Sequence, residues 1–286
     1  MERVGAWPTR LTWAILPLLM GPTLADGLGG VSRPVQLVAS VGLWAGWAAV
    51  LVATLIPATT SLTVVRLATP AAVVTAVAAT VAGGVEPLDV VGLTSALVAA
   101  LAAFSPVTAD VFVDGSSYGD ERRMSLRVAA PLLVGPIELM WVAVAAGVVA
   151  GPLLLAARQW LAGAVALPVG LLLAQWGTRV LHTLSRRWLV FVPAGLVVHD
   201  PLALAQPVLV PRSLLRSFGP APADTDALDL TNGALGLALE LQVEEPLTLT
   251  VVRGRGQTGS VTTDKLLVTP SRPGAVLAEA RQRRLA

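Results

Sequence analysis

The sequence predicts a bundle of five or six transmembrane α-helices followed by a mostly β domain that closes with one helix. Three observations carry this reading. Only 13% of the 286 residues are charged while 55% are hydrophobic, about half the charged fraction of an ordinary soluble domain. Eighteen charged side chains fall among the first 182 residues and twenty among the last 104, so a membrane part, 1–182, precedes a charged part, 183–286. At the same point continuous apolar runs give way to short alternating segments.

Five runs are long enough to cross a hydrocarbon core about 30 Å thick. They are Val35 to Ile56, Leu67 to Val85, Val90 to Val107, Val128 to Ala150 and Trp160 to Leu181. Backbone groups in lipid must be satisfied within the segment, so each is expected to be helical. The earlier run Leu11 to Ala25 is shorter and carries Pro17 and Gly21-Pro22. It reads either as a sixth span or as a secretory signal, with Arg3 and Arg10 as its basic start and a cut before Asp26. Cationic loops stay on the inside. With an inside amino terminus, nine arginines fall on inside segments against Arg33 and Arg158 outside. That vote places the amino terminus and the β domain in the cytoplasm. Nineteen Arg beside one Lys, with heavy Ala and Val use, point to a high-GC bacterial genome and hence a bacterial plasma membrane.

After Arg186 and Arg187, Trp188 to Val192 and Leu196 to His199 flank Pro193-Ala194-Gly195 and predict a hairpin. Pro207 to Pro211 brackets a short strand. Leu235, Leu237, Leu239, Leu241 and Val243 alternate strictly behind Asn232-Gly233, a pair suited to a tight turn. Leu247, Leu249 and Val251 predict another strand, and Lys265 to Thr269 one more. Ser271 as N-cap and Pro273 in the first turn open a final helix that ends in arginines.

The order Trp-Leu-Val-Phe strand, Pro-Ala-Gly turn, Leu-Val-Val-His-Asp strand and Val-Leu-Val-Pro-Arg-Ser-Leu-Leu segment resembles bacterial pleckstrin-homology-like domains over roughly Arg186 to Arg284. The resemblance rests on element order. It implies two packed antiparallel sheets capped by the terminal helix, and a binding or assembly role. The cluster of lysines that a phosphoinositide pocket would use is missing here.

Composition excludes several chemistries. No cysteine means no disulfide framework and no thiolate chemistry. Two histidines, His182 and His199, cannot build an imidazole-rich metal centre, and a net charge of +2 offers no basic surface for nucleic acid. There is no P-loop and no G-x-S-x-G elbow, so no catalytic residues and no cofactor are assigned. Gly254-Arg255-Gly256-Gln257-Thr258-Gly259 spells G-x-G-x-x-G, yet it opens no helix whose N-terminus could hold a phosphate. It reads as a mobile hairpin loop.

Glu138 falls near the middle of the run Val128 to Ala150. An intramembrane carboxylate must face the bundle or a wet cavity, either as a relay or as a neutral hydrogen-bonding group. The polar stretch Ser105 to Arg127 holds Asp110, Asp114, Asp120 and Glu121. These acids are read as a solvated turn, as a metal-holding cluster, or as a docking element in which Asp114, Asp120 and Glu121 pair with Arg212 or Arg216. Gly42 and Gly46 form a G-x-x-x-G pair for close helix contact within the chain or between copies. Trp13, Trp160 and Trp188 are expected as interfacial anchors, and His182 as an interfacial residue. The leading expectation is a scaffold or accessory subunit of a membrane complex, held in the lipid bilayer and bound to a protein partner or a second copy. The alternatives are a small transporter or channel using Glu138 and a metal-dependent membrane enzyme using the Asp110 to Glu121 loop.

Overall fold

A computed structural model describes residues 5–254 and 257–285. The chain forms two compact units: 1–112 with 138–182, and 113–137 with 183–286.

The first unit holds six helices long and apolar enough to cross a membrane. They are α1 (Trp7–Leu28), α2 (Arg33–Leu55), α3 (Thr59–Gly83), α4 (Pro87–Phe104), α6 (Pro136–Ala156) and α7 (Trp160–Leu184). A shorter helix, α5 (Pro106–Asp114), follows α4. It starts where the Ser105 hydroxyl accepts the Thr108 N–H at 3.1 Å, as an N-cap does. The run Leu11 to Ala25 thus lies within α1, which packs against α2, α3 and α4 as a helix of the fold.

Lipid tails are as apolar as leucine, so helices in a bilayer associate through close backbone approach rather than through hydrophobic gain. The sequence supplies this on α4, where Gly92, Ala96, Ala99 and Ala103 are all buried. They recur at alternating steps of four and three, one face of a helix. On α7, Gly163, Gly170 and Gly177 are the buried residues, seven apart. A side-chain carbon on Gly147 of α6 would lie 2.6 Å from the Gly170 carbonyl oxygen, and one on Gly151 would lie 2.6 Å from Leu167 Cα. The α6–α7 hairpin is therefore built on backbone contact.

Trp13 is 4% exposed, so it is a packing residue of α1 and not the interfacial anchor expected. Its indole donates to the Trp47 carbonyl on α2 at 3.0 Å, and the Trp47 indole donates to the Trp13 carbonyl at 3.0 Å. Pro17 explains half of this clasp, because the residue four positions after Trp13 has no N–H to give that carbonyl. Trp47→Phe is expected to cost about 1 kcal/mol by orphaning it. In a Pro17→Ala background, which restores a backbone donor, the loss should shrink; equal melting-point drops of the detergent-solubilised protein in both backgrounds would refute the pairing.

The second unit has two four-stranded sheets and a terminal helix, α8 (Pro273–Gln282). One sheet has the order β1 (Arg122–Ser125), β2 (Trp188–Val192), β3 (Gly195–His199), β4 (Val208–Pro211), all antiparallel. The other has the order β5 (Leu215–Pro220), β7 (Leu239–Val252), β8 (Thr258–Val268), β6 (Leu228–Asp229), with β6 parallel to β8. Leu189, Phe191, Leu196, Val198, Leu241 and Leu266 fill the core between the sheets, and Val276 and Ala280 of α8 pack against it.

Four expectations are corrected. The run Val128 to Ala150 is not one span: Ala130–Leu132 is a 3₁₀ turn, Gly135 has φ 101°, and the helix starts at Pro136. A left-handed glycine followed by proline at the first helical position ends one segment and starts another. Two strands expected separately, over 235–243 and 247–251, are one strand, β7, which begins only at Leu239 and has a register shift between Gln242 and Leu247. Strand β8 begins at Thr258, seven residues before the expected start at Lys265. The N-cap of α8 is Arg272 rather than Ser271. Residues 253–257 join β7 to β8, so Thr258 and Gly259 of the G-x-G-x-x-G segment belong to β8, and Arg255 and Gly256 lie outside the described residues.

Candidate functional site

The second unit is completed by a strand from the polar stretch that precedes α6. Arg122 pairs with Phe191 and Ser125 with Trp188 across β1 and β2. Asp114 sets up this strand. Its Oδ1 accepts the Arg123 N–H and the Ser117 hydroxyl, each at 2.8 Å, and its Oδ2 meets Arg122 Nη1 at 2.7 Å. Glu121 meets Arg123 at 3.1 Å. The stretch thus docks on the β domain, but through strand pairing: Asp114 and Glu121 take local arginines and not Arg212 or Arg216. Asp120 contributes its carbonyl, which accepts from Arg283 Nη2 at 2.8 Å. Asp110 lies on α5 and is 4% exposed. The Arg122 guanidinium is held below its ordinary value, first by burial and then by the nearby Arg272 and Arg283, with Glu279 opposing.

Just beyond the end of the β2–β3 pairing lies a buried ion pair that the motifs above do not include. Arg187 and Asp200 have side chains 1% and 0% exposed. Arg187 Nε and Nη2 donate to Asp200 Oδ1 and Oδ2 at 2.9 and 2.6 Å, and Nη1 donates to the Arg127 carbonyl at 2.6 Å. Asp200 Oδ1 also accepts the Leu202 N–H at 3.0 Å. The forked guanidinium fits a carboxylate with two parallel bonds, and its remaining nitrogen ties the incoming strand to the hairpin. A signal for this pair is present in the sequence. Trp188 faces His199 across the two-residue turn Pro193-Ala194, so the next positions outward, 187 and 200, face each other by register alone. His199 stacks on Trp188 with ring centroids 4.5 Å apart, and Arg123 lies 5.8 Å from the centre of the Trp188 ring. Trp188 is thus a partner within the β domain.

A groove of about 550 Å³ opens on this unit, lined by Arg212, Arg216, Phe218, Glu240, Arg284 and neighbouring residues. Arg212 Nη2 donates to the Arg283 and Arg284 carbonyls, holding the chain where it leaves α8 and where Arg284 adopts φ 56°. Glu240 accepts from the Thr225 hydroxyl. The guanidinium groups of Arg216 and Arg284 meet no carboxylate among the described residues.

In the first unit Glu138 stands in the first turn of α6 and not at mid-span. This corrects its position: the carboxylate sits at a helix start, where the dipole favours negative charge. Arg66, expected between spans, lies two turns inside α3 with its guanidinium 5.6 Å from the Phe104 ring centre. His182 Nδ1 is 2.8 Å from the Thr63 hydroxyl, and the Trp141 indole donates to the Leu67 carbonyl at 2.8 Å. Trp160 is 65% exposed at the start of α7. Asp26, Glu86 and Asp89 line a cleft of about 370 Å³ at the ends of α1, α3 and α4, where Asp89 accepts the Glu86 N–H at 2.8 Å. Among the described residues no three His, Asp or Glu side chains are grouped to hold a metal ion. The side-chain positions at Gly42 and Gly46 open on empty space, so neither makes a close helix contact within the chain.

Comparison of the chain with family models, with curated proteins and with solved structures gave no match.

Proposed function

We propose that the protein is a scaffold or accessory subunit of a bacterial plasma-membrane complex, with its amino terminus and its PH-like β domain in the cytoplasm and a protein partner bound by that domain. The observation that carries this reading is the groove on the β domain, where Arg216 and Arg284 stand beside Phe218 without a carboxylate partner among the described residues. Guanidinium pairs beside an apolar floor suit an acidic polypeptide segment. Two further features support the reading. The order of two four-stranded sheets followed by one helix is compatible with the PH-like arrangement. Strand β1 lies before α6 and its partner β2 after α7, so both must be on one side of the bilayer, and the distribution of arginines, eight to two once Arg66 within α3 is set aside, favours the inside.

The test is purification of the full chain in mild detergent after crosslinking. The expected result is a stoichiometric partner, or a homo-oligomer, that is lost in an Arg216→Glu/Arg284→Glu variant with an unchanged melting temperature. An inert monomer, or a complex indifferent to the charge reversal, would overturn the proposal.

A further inference from the structure

The alternating run Leu235, Leu237, Leu239, Leu241, Val243 divides in the folded chain. Leu239 and Leu241 are 0% exposed and Val243 3%, all within β7, whereas Leu235 and Leu237 stand in the preceding loop at 70% and 49% exposure. The loop is held in place. The Gly233 carbonyl accepts the Ala130 N–H at 3.4 Å. A side-chain carbon on Gly233 would lie 3.8 Å from Pro131, and one on Gly236 would lie 3.1 Å from Arg127 Nε. Gly233 and Gly236 have φ of 73° and 125°, which glycine adopts without strain. The loop is therefore stitched to the segment 127–131.

Five residues after Pro131 the chain becomes α6 at Pro136. The 21 residues of α6 make about 31 Å of helix, barely the thickness of the hydrocarbon core. If α6 crosses the hydrocarbon over its full length, the edge falls close to Pro136, and Leu133 and Val134, 48% and 84% exposed, reach the headgroup layer together with the loop stitched to residues 130 and 131.

We propose that Leu235 and Leu237, with Leu133 and Val134, insert into the headgroup–acyl boundary of the membrane that α6 crosses, with the exposed Arg127 placed for anionic headgroups. The occupant of this apolar surface is the lipid itself. Chain continuity with a transmembrane helix supports that choice, as does an apolar tip flanked by a cation, the composition of an interfacial anchor.

The absence of cysteine makes the test clean. Single variants Leu235→Cys, Leu237→Cys and Leu139→Cys, the last 72% exposed on α6, are labelled with an environment-sensitive dye. The full chain is then placed in nanodiscs of phosphatidylcholine and phosphatidylglycerol. The expected result is quenching at 235 and 237 by shallow nitroxide-labelled lipid at no less than half the level seen at 139, with shielding from aqueous iodide. Iodide access equal to that of free dye would overturn the proposal. So would a shielded dye unaffected by nitroxide lipid, since that outcome means a second copy or another protein covers the loop.

Discussion

Asp200→Asn is expected to lower the melting temperature of the β domain by about 10–20 °C, the largest single-residue effect in the molecule. Arg187 would remain buried with one neutral acceptor where two charged oxygens stood, and breaking a buried pair from one side costs about 3–5 kcal/mol. The effect should reach beyond the hairpin, because Arg187 Nη1 also holds the Arg127 carbonyl. Hydrogen exchange is expected to rise at β1 as well as at β2 and β3. Removing both charges is a different experiment: Arg187→Met with Asp200→Leu leaves no unpaired charge and should recover most of the loss. Near-wild-type melting of Asp200→Asn would show that the pair does not fasten the hairpin to the segment after β1.

Gly170→Leu should be the most damaging change in the membrane unit. Its side chain would enter the Gly147 backbone, with no flexible neighbour to yield. The α6–α7 hairpin would have to separate, at about 1–3 kcal/mol or more, and lipid offers the parted helices no penalty that would drive them back together. Gly42→Leu is the control, since that position faces open space. In detergent micelles the expected order of melting is wild type equal to Gly42→Leu and well above Gly170→Leu. A Gly42→Leu loss as large as that of Gly170→Leu would mean that a second copy covers α2.

The parts of the fold readable from the sequence are those governed by one solvent and one length. A segment that crosses lipid must be apolar for about twenty residues and helical throughout, so α2, α4 and α7 are found within a few residues of their ends. The β2–β3 hairpin is legible from its turn and from the aromatic and β-branched runs on either side of it. Strand β1 is not, because four residues reading Arg-Arg-Met-Ser carry no period, and their strand form depends on a partner more than sixty residues away. The position of Glu138 at a helix start is hidden in the sequence for a related reason. Apolar content alone joins 128–135 to the helix, and the stop encoded by Pro131, Gly135 and Pro136 outweighs it.

The sequence by itself determined the class of the protein: its apolar helices, the shift to a β pattern near residue 182, and the lack of cysteine chemistry. These are sums over many residues, and each residue contributes whatever its neighbours are. Which arginine is buried, which glycine meets a helix and which leucine is left uncovered were decided only by tertiary structure. Arg187 and Arg186 are adjacent and identical in type, yet one is 2% exposed and bonded to Asp200 while the other is at the surface. Gly170 and Gly42 both sit in apolar helices, yet only Gly170 has a backbone against it. The physical reason is common to both: burial and pairing belong to residues brought together from distant parts of the chain, and no local property of either residue records its partner.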